Sequence, residues 1–429
     1  MFECERHILS NGLRVVAVPV AHAPTISVIV FVRGGSRVDS KEKMGLAHFM
    51  EHIFFKGGKK YKTSLDIAHA VEECGGVNNA ATGKEEISFY VKHGVSAGNL
   101  GFDVLEDMLC HSRFPEEEIE REKNVVLEEL RRDLDNPPQL LFKSMFERVF
   151  FPNHPLGYPI IGNEETIWSI SRNDLLRYQT AYYRPNNMVI SVAGNIRGDA
   201  IFNEAERRFG SMVPAEISRW APFDRHQSPG ERICLVPRRE KEQAGIVLAS
   251  PAPGYGNEDE YALYVLLALL GGGQSSRLWQ DVRETRGLAY GIGTSNVFYQ
   301  EAGYTITMWG TRNSAIAKSI EVVLAEYKKI REKYIEDGEL AFVKKFLIGR
   351  REVRFEESDE VAEEYGENEL LLGRAVSFEE FKEKINMVTK EDIKRAASAY
   401  LGPDDLKIGL VAQERYCKNE MLNDLLMRA

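Results

Sequence analysis

The order of predicted strands and helices in the first half of the chain returns in the second half, roughly 210 residues later. Three pairs of predicted elements match at this spacing: the strands 26–32 and 244–250, the apolar helices 44–55 and 260–270, and the strands 189–193 and 408–412. Repetition of one set of elements indicates an old duplication. The sequence therefore predicts an α+β protein of two similar domains, each a mixed or antiparallel sheet packed with helices.

The junction between the two halves lies in a segment without regular periodicity. Residues 211–230 contain prolines and a terminal glycine but no repeating apolar pattern, which is typical of a linker. We therefore expect an N-terminal domain at 1–213, a linker at 214–230 and a C-terminal domain at 231–429. A chain of 429 residues also exceeds the size at which one hydrophobic core stops growing, which agrees with more than one domain.

Composition excludes several classes of protein. The net charge is -10 and Lys and Arg are scattered, so the basic footprint of a nucleic-acid or anionic-membrane binder is absent. The five cysteines are widely spaced without a C-x-x-C pair, which argues against a disulfide framework or a thiolate zinc site. The first residues are acidic where a signal peptide needs positive charge, and the longest apolar stretch is too short to span a bilayer. We expect a cytoplasmic protein without nucleic-acid or membrane partners.

The pentapeptide 48–52 reads H-x-x-E-H, with His48, Glu51 and His52 at its fixed positions. Residues four apart lie one turn apart on the same helix face, so both imidazoles can reach one ion. Zinc accepts such ligands tetrahedrally, and a catalytic zinc takes three from the protein and leaves one position for water. The pattern therefore predicts two ligands of a zinc site and requires a third from elsewhere.

By itself this pentapeptide more often marks polar residues on an exposed helix, so its surroundings decide. Its neighbours are apolar: Leu46, Phe49, Met50, Ile53, Phe54 and Phe55. Ionisable groups in a helix that should be buried are costly unless they are paired or bound to metal. This context favours the metal site.

A long helix is predicted from Pro115 to the Asn136-Pro-Pro stop, and it offers Glu128 and Glu129 as candidates for the third ligand. A helical wheel places Ile119, Val126, Leu130 and Leu134 in one apolar stripe. Glu128 lies on the opposite side, whereas Glu129 lies at the edge of the stripe. The wheel therefore selects Glu129 as the ligand.

Glu122 lies two turns before Glu129 and shares its direction. It is a candidate catalytic carboxylate beside the site. The alternative is a charge on the flank of the helix, since such structural charges are common.

These residues resemble the pitrilysin/insulysin family of zinc metallopeptidases, in its processing-peptidase-like subgroup. The resemblance extends over essentially the whole chain. Further motifs that carry it are the Asn11-Gly12 hairpin, Gly75-Gly76-x-x-Asn79-Ala80-x-Thr82, His154-Pro-Leu-Gly157, Arg184-Pro-x-Asn-Met188 and Gly271-Gly-Gly-Gln-Ser-Ser-Arg-Leu278. The resemblance implies that two histidines and the distal glutamate bind one Zn²⁺ per chain, while the glutamate between the histidines, Glu51, activates water.

The resemblance also implies where substrate binds. Asn79 and Ala80 would lie on an edge strand that pairs with an extended peptide, and the alternative is an ordinary corner between a turn and a strand. Arg283 and Tyr290 match the pair that contacts substrate from the second half. The glycine-rich loop of the processing-peptidase partner subunit is shortened here to Gly271-Gly-Gly, so recognition of presequences is not implied.

The implied function is a zinc-dependent endopeptidase that hydrolyses peptides or unfolded segments inside the enclosed chamber of a clamshell. A homodimer is expected rather than a heterodimer, because one chain carries both the zinc residues and Arg283 with Tyr290. Two other classes remain: a non-catalytic subunit of the same fold, which would have lost some of these residues, and a structural zinc protein, which would need a fourth ligand. The remaining candidates, His69, His93, His111 and His154, lack partner ligands at useful spacing and are expected to be structural or exposed.

Overall fold

The computed structural model of the protein describes residues 3–224, 230–239 and 243–428. Within them lie eleven strands: β1 Glu5–Ile8, β2 Arg14–Pro19, β3 Thr25–Arg33, β4 Val77–Thr82, β5 Glu86–Gly94, β6 Met188–Gly194, β7 Ile233–Arg238, β8 Gln243–Ala252, β9 Ala289–Phe298, β10 Gly303–Arg312 and β11 Lys407–Gln413. The same described ranges contain fifteen helices: α1 Leu46–Phe54, α2 Ser64–Glu72, α3 Leu100–His111, α4 Glu116–Asp135, α5 Pro137–Met145, α6 Glu164–Ser169, α7 Arg172–Tyr182, α8 Gly198–Phe209, α9 Glu260–Gly271, α10 Ile316–Glu332, α11 Asp337–Arg354, α12 Ser358–Leu372, α13 Phe378–Met387, α14 Lys390–Tyr400 and α15 Asn419–Met427. Among these described helices, none is long and apolar enough to cross a membrane.

The chain forms two compact units. Unit 1 comprises Met1–Arg131, Tyr158–Ala221 and Glu352–Phe381. Unit 2 comprises Arg132–Gly157, Pro222–Arg351 and Lys382–Ala429. Each unit contains one sheet with helices packed against it.

The sheet of unit 1 has six strands in the order β1-β2-β6-β3-β5-β4. β2 and β6 run parallel, and the other neighbouring pairs are antiparallel, so the sheet is mixed as the sequence predicted. β4 lies at one edge of this sheet and β1 at the other. The position of β4 matters for the site because its outer backbone groups are not used by a neighbouring strand among the described residues.

The predicted Asn11-Gly12 hairpin joins β1 to β2. Gly12 has a φ of 87°, a conformation that glycine adopts without steric cost. The side chain of Asn11 donates a hydrogen bond to the carbonyl of Phe209 at 2.8 Å, which ties the turn to the end of α8. The hairpin prediction is confirmed.

Helix α12 covers a face of the unit 1 sheet, although it comes from the second half of the sequence. It contacts β2, β3 and β6, and its Ser358 hydroxyl lies 2.8 Å from that of Ser27. At Gly366 the helix approaches so closely that a Cβ would lie 2.3 Å from the ring of Phe31, so only glycine fits there. The fully buried Glu369 accepts hydrogen bonds from Arg6 at 2.8 and 2.9 Å.

The sheet of unit 2 has five strands in the order β7-β11-β8-β10-β9. Taken in this spatial order, the five strands correspond one by one to β2, β6, β3, β5 and β4 of unit 1, with the same parallel and antiparallel pairings. β1 is the strand of unit 1 without a counterpart among the described residues. This repeated topology confirms the duplication inferred from the order of elements.

The two compact units interleave along the sequence. The change from unit 1 to unit 2 at Ala221 and Pro222 falls within the expected linker 214–230, of which residues 225–229 lie outside the described residues. Residues 132–157 belong to unit 2, and residues 352–381, which include α12, belong to unit 1. The contiguous domains 1–213 and 231–429 thus stay a prediction for the duplicated halves, since the packing divides the chain differently.

Candidate metal centre

Helix α1 carries the H-x-x-E-H residues and is fixed at its start by a carboxylate. Asp39, which is buried, accepts hydrogen bonds from the backbone N–H groups of Gly45 at 2.9 Å and Ala47 at 3.1 Å. These groups have no partner within the helix, so the side chain satisfies them. Gly45 has a φ of 91°, and a Cβ there would lie 2.6 Å from the carbonyl of Ile161. Asp39 and Gly45 together set the position from which α1 begins.

One face of α1 anchors the helix in the core of unit 1. Its buried residues are Leu46, Ala47, Phe49, Met50, Ile53 and Phe54. Full burial of one large apolar side chain contributes about 1.5–3 kcal/mol, so this face outweighs the cost of a polar cluster on the other. His48, Glu51 and His52 occupy that other face and are partly exposed.

The imidazoles of His48 and His52 converge on the carboxylate of Glu129, which extends from α4. Nε2 of His48 lies 3.7 Å from Oε2 of Glu129, and Nε2 of His52 lies 3.6 Å from the same oxygen. One ligand atom from each residue lies within 4.8 Å of the others, and the described residues contain no second group of this kind. The sequence prediction of these three residues as neighbours agrees with the geometry.

Glu128, the rejected candidate, lies where the helical wheel placed it. Its side chain is 70% exposed and forms an ion pair with Arg131 on the same helix. The wheel was wrong in one respect, because Leu134 is 37% exposed and does not extend the apolar stripe. Ile119, Val126 and Leu130 are buried as predicted.

Glu122 lies behind His52 rather than among the three converging ligand atoms. Its Oε1 is 2.8 Å from Nδ1 of His52, and its Oε2 is 2.6 Å from Nζ of Lys56. With Nδ1 engaged in this way, the ring presents Nε2 towards Glu129. Histidine ligands of metals are commonly oriented by a carboxylate on the other ring nitrogen. Glu122 is therefore placed to orient His52. The alternative, a solvent-exposed charge on the flank of the helix, does not agree with the 3% exposure of Glu122.

Glu51 is held by the edge strand. Oγ1 of Thr82, the last residue of β4, donates a hydrogen bond to Oε2 of Glu51 at 2.5 Å. The ring of Tyr183 packs against that of Phe54 on the same helix as Glu51, and its hydroxyl is buried without a hydrogen-bond partner among the described residues. Thr82 is the one residue in the described part of the chain that donates a hydrogen bond to Glu51.

The two histidines differ in their protonation. Burial and the neighbouring His52 lower the pKa of His48 to about 3, so its imidazole is neutral and can offer a lone pair. Burial opposes the charged form of His52, but the hydrogen bond and charge of Glu122, with the charges of Glu51 and Glu129, outweigh it and raise the pKa of His52. His48 therefore offers a neutral imidazole nitrogen, whereas the ring of His52 is held by the carboxylate of Glu122.

The carboxylates also differ. Burial raises the pKa of Glu51, although the hydrogen bond from Thr82 acts in the opposite direction. Burial also acts to raise the pKa of Glu122, but the hydrogen bonds from His52 and Lys56 prevail and lower it. Glu122 is therefore held as an anion, while Glu51 is the more easily protonated carboxylate.

This donor set fits a divalent cation. Three carboxylates, those of Glu51, Glu122 and Glu129, gather around the two rings, and Lys56 is the cation paired with one of them. Ligands at about 2.0–2.2 Å in a tetrahedron stand roughly 3.3 Å apart, so the observed separations of 3.6 and 3.7 Å need to shrink only by a few tenths. Two imidazole nitrogens and one carboxylate oxygen form a ligand set that catalytic zinc uses.

Comparison with known proteins agrees with this chemistry. Residues 14–164 match the family described as insulinase (peptidase family M16), and residues 169–347 match the family described as peptidase M16 inactive domain. An uncharacterized zinc protease of Bacillus subtilis is 33% identical over 408 residues, covering 95% of this chain and 98% of the relative. The chain belongs to the M16 family of peptidases.

A second relative and a solved structure are similar to this chain over nearly its whole length. An uncharacterized zinc protease of Mycobacterium leprae is 32% identical over 424 residues, covering 96% of this chain and 95% of the relative. A protease from Helicobacter pylori has the same fold, with a TM-score of 0.86 at 23% identity over 96% of this chain and all (100%) of that chain. The match described as an inactive domain runs from residue 169 to residue 347, and the described metal-ligand group, His48, His52 and Glu129, lies before it in the sequence.

The M16 resemblance also placed Asn79 and Ala80 on an edge strand. Both lie on β4, which is the edge strand next to β5. Asn79 is exposed, whereas Ala80 faces the core of unit 1, as expected from alternation along a strand. The strand position is confirmed, and binding of peptide there remains a prediction.

Arg283 and Tyr290 lie together in unit 2. The guanidinium of Arg283 is 5.1 Å from the ring centre of Tyr290 and 4.3 Å from that of Trp279, so two aromatic faces hold it. Tyr290 is on β9, an edge strand, and is 87% exposed. Gly272 and Gly273 follow α9 as the expected short loop, and Gly272 accepts a hydrogen bond from Arg350. The contact of this pair with substrate stays a prediction.

The sequence did not predict the roles of three residues at the site: Asp39, Lys56 and Thr82. Lys56 is four residues after His52, so helical spacing could have placed it beside the ligands. Thr82 shares a strand face with Ala80, two residues earlier, and was noted only as part of a motif. No local signal identifies Asp39, because its partners depend on how the chain enters α1.

Proposed function

We propose that this chain is a zinc-dependent endopeptidase that binds one zinc ion through His48, His52 and Glu129. The observation that carries the proposal is the convergence of Nε2 of both histidines on one oxygen of Glu129, at 3.6 and 3.7 Å. Relatives of nearly full length that are named zinc proteases support it.

Each residue then has a distinct part in peptide hydrolysis. A zinc ion in this site supplies Lewis acidity, which lowers the pKa of water to about 7 and polarises the peptide carbonyl. Glu51 accepts the proton of the attacking water and delivers it to the leaving amine. Glu122, fixed by Lys56, holds Nδ1 of His52 so that Nε2 keeps its direction.

The proposal extends to the substrate. We expect peptides or unfolded segments, because no described strand pairs with the outer side of β4 at Asn79 and Ala80, where an extended chain can add by backbone hydrogen bonds. Arg283 and Tyr290 are proposed to contact the same peptide, and the enclosed chamber implied by the family resemblance would exclude folded proteins. Cleavage of a protein after unfolding but not before tests this part.

We also propose that the chain assembles as a homodimer. The reasoning is that a single chain carries both the zinc residues and the Arg283 and Tyr290 pair, so a second type of subunit is not required. Sedimentation equilibrium of the purified protein should give twice the mass of the chain. A monomer that cleaves peptides at full rate contradicts this part alone.

Metal content and cleavage of a quenched fluorescent peptide test the central proposal. The purified protein should contain one zinc ion per chain and cleave the peptide. Glu51→Gln should keep the zinc and lose activity by about 10²–10⁴-fold, the usual contribution of a general base. Absence of stoichiometric zinc, or unchanged cleavage by Glu51→Gln, contradicts the mechanism.

The pair Glu129→Gln and Glu128→Gln provides a matched control on adjacent residues of α4. Glu129→Gln should lose zinc, because an amide oxygen is a weaker ligand than a carboxylate. Glu128→Gln should keep zinc and activity, since its side chain is 70% exposed and pairs with Arg131. A non-catalytic subunit of the same fold would cleave no peptide even as the wild type, whether or not it binds zinc.

A further inference from the structure

Strand β4, which has a paired strand on one side only among the described residues, ends at Thr82 beside Glu51, the proposed general base. Thr82 is the last residue of β4, and its hydroxyl lies 2.5 Å from Oε2 of Glu51. The preceding residue on the same strand face, Ala80, packs against the core of unit 1. Val77, Asn79 and Ala81 alternate with these residues and are exposed. The position of β4 therefore determines the position of the donor to Glu51.

Only β5 pairs with β4 among the described residues. An edge strand of this kind is held by one set of backbone hydrogen bonds, and a peptide added at its open side supplies a second set. The strand spans six residues, or roughly 20 Å at ~3.4 Å per residue. A peptide that pairs with the whole of β4 therefore contacts the backbone from Val77, far from Glu51, to Thr82, which lies beside Glu51.

The orientation of a glutamate carboxylate is weakly defined by its own torsions, because its terminal torsion is broad and roughly two-fold. The hydrogen bond from Thr82 selects one oxygen and thereby directs the other. The hydroxyl of Tyr183, whose ring contacts Phe54 of the same helix, makes no hydrogen bond within the described residues. The orientation of Glu51 thus depends on a single contact with β4.

We propose that Thr82 is a positioning residue that couples peptide pairing along β4 to the orientation of the Glu51 carboxylate. The inference rests on the proposed function, since it assumes that Glu51 is the base. Pairing of a long peptide restrains β4, and the restrained Thr82 hydroxyl keeps Glu51 in its working orientation. A short peptide with the same scissile bond does not supply this restraint.

Two peptides and three variants test the coupling. The peptides share the same scissile sequence, and one carries about five further residues on each side, enough to follow β4. In the wild type the long peptide should have the higher kcat. Thr82→Val keeps the shape of the side chain but removes the donor, so kcat for the long peptide should fall by about 10- to 100-fold. The kcat values of the two peptides should then become similar, with KM for the long peptide and zinc content unchanged.

Two controls separate positioning from general damage. Thr82→Ser restores the hydroxyl and should recover most of the lost kcat. Tyr183→Phe removes the neighbouring hydroxyl that makes no hydrogen bond, and it should leave kcat unchanged for both peptides. Loss of zinc or of folded structure in Thr82→Val, with no recovery in Thr82→Ser, would show a merely structural role and overturn the inference.

The outcomes also separate this inference from the proposed function. If the zinc-loaded wild type cleaves neither peptide, the proposed function fails and the inference fails with it. A second outcome overturns only the coupling. In it, the wild type cleaves both peptides and Glu51→Gln cleaves neither, but Thr82→Val keeps the wild-type kcat for the long peptide or the wild-type ratio of kcat between the two peptides. Equal kcat for the two peptides in the wild type also overturns the coupling alone.

Discussion

Glu122 holds Nδ1 of His52 at 2.8 Å and so directs the other nitrogen of the ring, Nε2, towards Glu129. The same carboxylate accepts a hydrogen bond from Lys56 at 2.6 Å. Lys56, Glu122 and His52 therefore form a chain of contacts that ends at the proposed ligand atom. Of these three residues, Lys56 lies farthest from the proposed metal site.

Lys56→Met should weaken zinc binding although Lys56 touches none of the proposed ligand atoms. Loss of the ammonium leaves the buried Glu122 with one partner, so its hold on His52 loosens. Changes to such outer contacts of metal sites cost about 10- to 100-fold in affinity or activity. Competition with a chromogenic chelator measures the affinity. Lys59→Met, at an exposed lysine three residues later, is the control, and equal affinities of the two variants would contradict the prediction.

Asp39→Ala should lower both the stability of unit 1 and its affinity for zinc. The substitution removes the acceptor for two backbone N–H groups at the start of α1, a loss of about 1–3 kcal/mol. Urea denaturation of the metal-free protein measures the first effect and chelator competition the second. Asp66→Ala removes a similar carboxylate from the capping box of α2, so it should destabilise without weakening zinc binding. A zinc affinity that is the same in both variants argues against this role of Asp39.

Tyr183→Phe should leave stability unchanged or raise it slightly. Its hydroxyl is buried without a partner in the described part of the protein, and an unsatisfied buried group costs about 1–3 kcal/mol. Tyr178→Phe makes the matched comparison, because the Tyr178 hydroxyl, on a ring also 4% exposed, donates to the carbonyl of Gly35 at 3.3 Å. Thermal unfolding should rank Tyr178→Phe below the wild type and Tyr183→Phe at or above it. The reverse order would show that Tyr183 has a partner.

Glu86 should make stability fall as the pH rises from about 5 to 8. Burial, with the charges of Glu367, Glu363 and Glu85, raises the pKa of Glu86 to about 8 from its ordinary value of 4.5. Between these two values the folded protein keeps a proton that the unfolded chain releases. The stabilisation from this proton is therefore complete below pH 4.5 and is lost as the pH approaches the folded pKa.

Glu86→Gln, which needs no proton, tests this pH dependence. The difference in unfolding temperature, Glu86→Gln minus wild type, should increase steadily between about pH 5 and pH 8 and should become constant above that range. Glu73→Gln, at an exposed carboxylate, should give a curve parallel to the wild type. A constant difference between Glu86→Gln and the wild type at every pH would remove the basis of the prediction.

Local patterns in the sequence were sufficient for the elements that carry the site. The H-x-x-E-H spacing and its apolar neighbours located α1, and the two prolines after Asn136 located the end of α4. The helical wheel distinguished Glu129 from Glu128 because one side of α4 is buried and the other is solvated. It failed at Leu134, since a wheel assumes that the buried face continues along the whole helix.

The packing of distant segments could not be read from these patterns. Helix α12 belongs to the second half of the chain but covers the sheet of unit 1, where Gly366 meets Phe31 and Glu369 meets Arg6. Nothing in the periodicity of residues 358–372 indicates which sheet they cover. Contacts between residues more than 300 positions apart depend on how the whole chain folds.

The sequence by itself determined the chemistry of this protein: two imidazoles one turn apart, a carboxylate on a second amphipathic helix, and a duplicated set of strands. These follow from periodicities of 3.6 and 2 residues, which act over a few neighbours. The tertiary structure alone decided which groups hold that chemistry in place. Lys56 is joined to Glu122, and Thr82 to Glu51, by hydrogen bonds between separate elements that exist only after those elements have packed together. Asp39 meets the first N–H groups of α1 through the folded course of the residues between them.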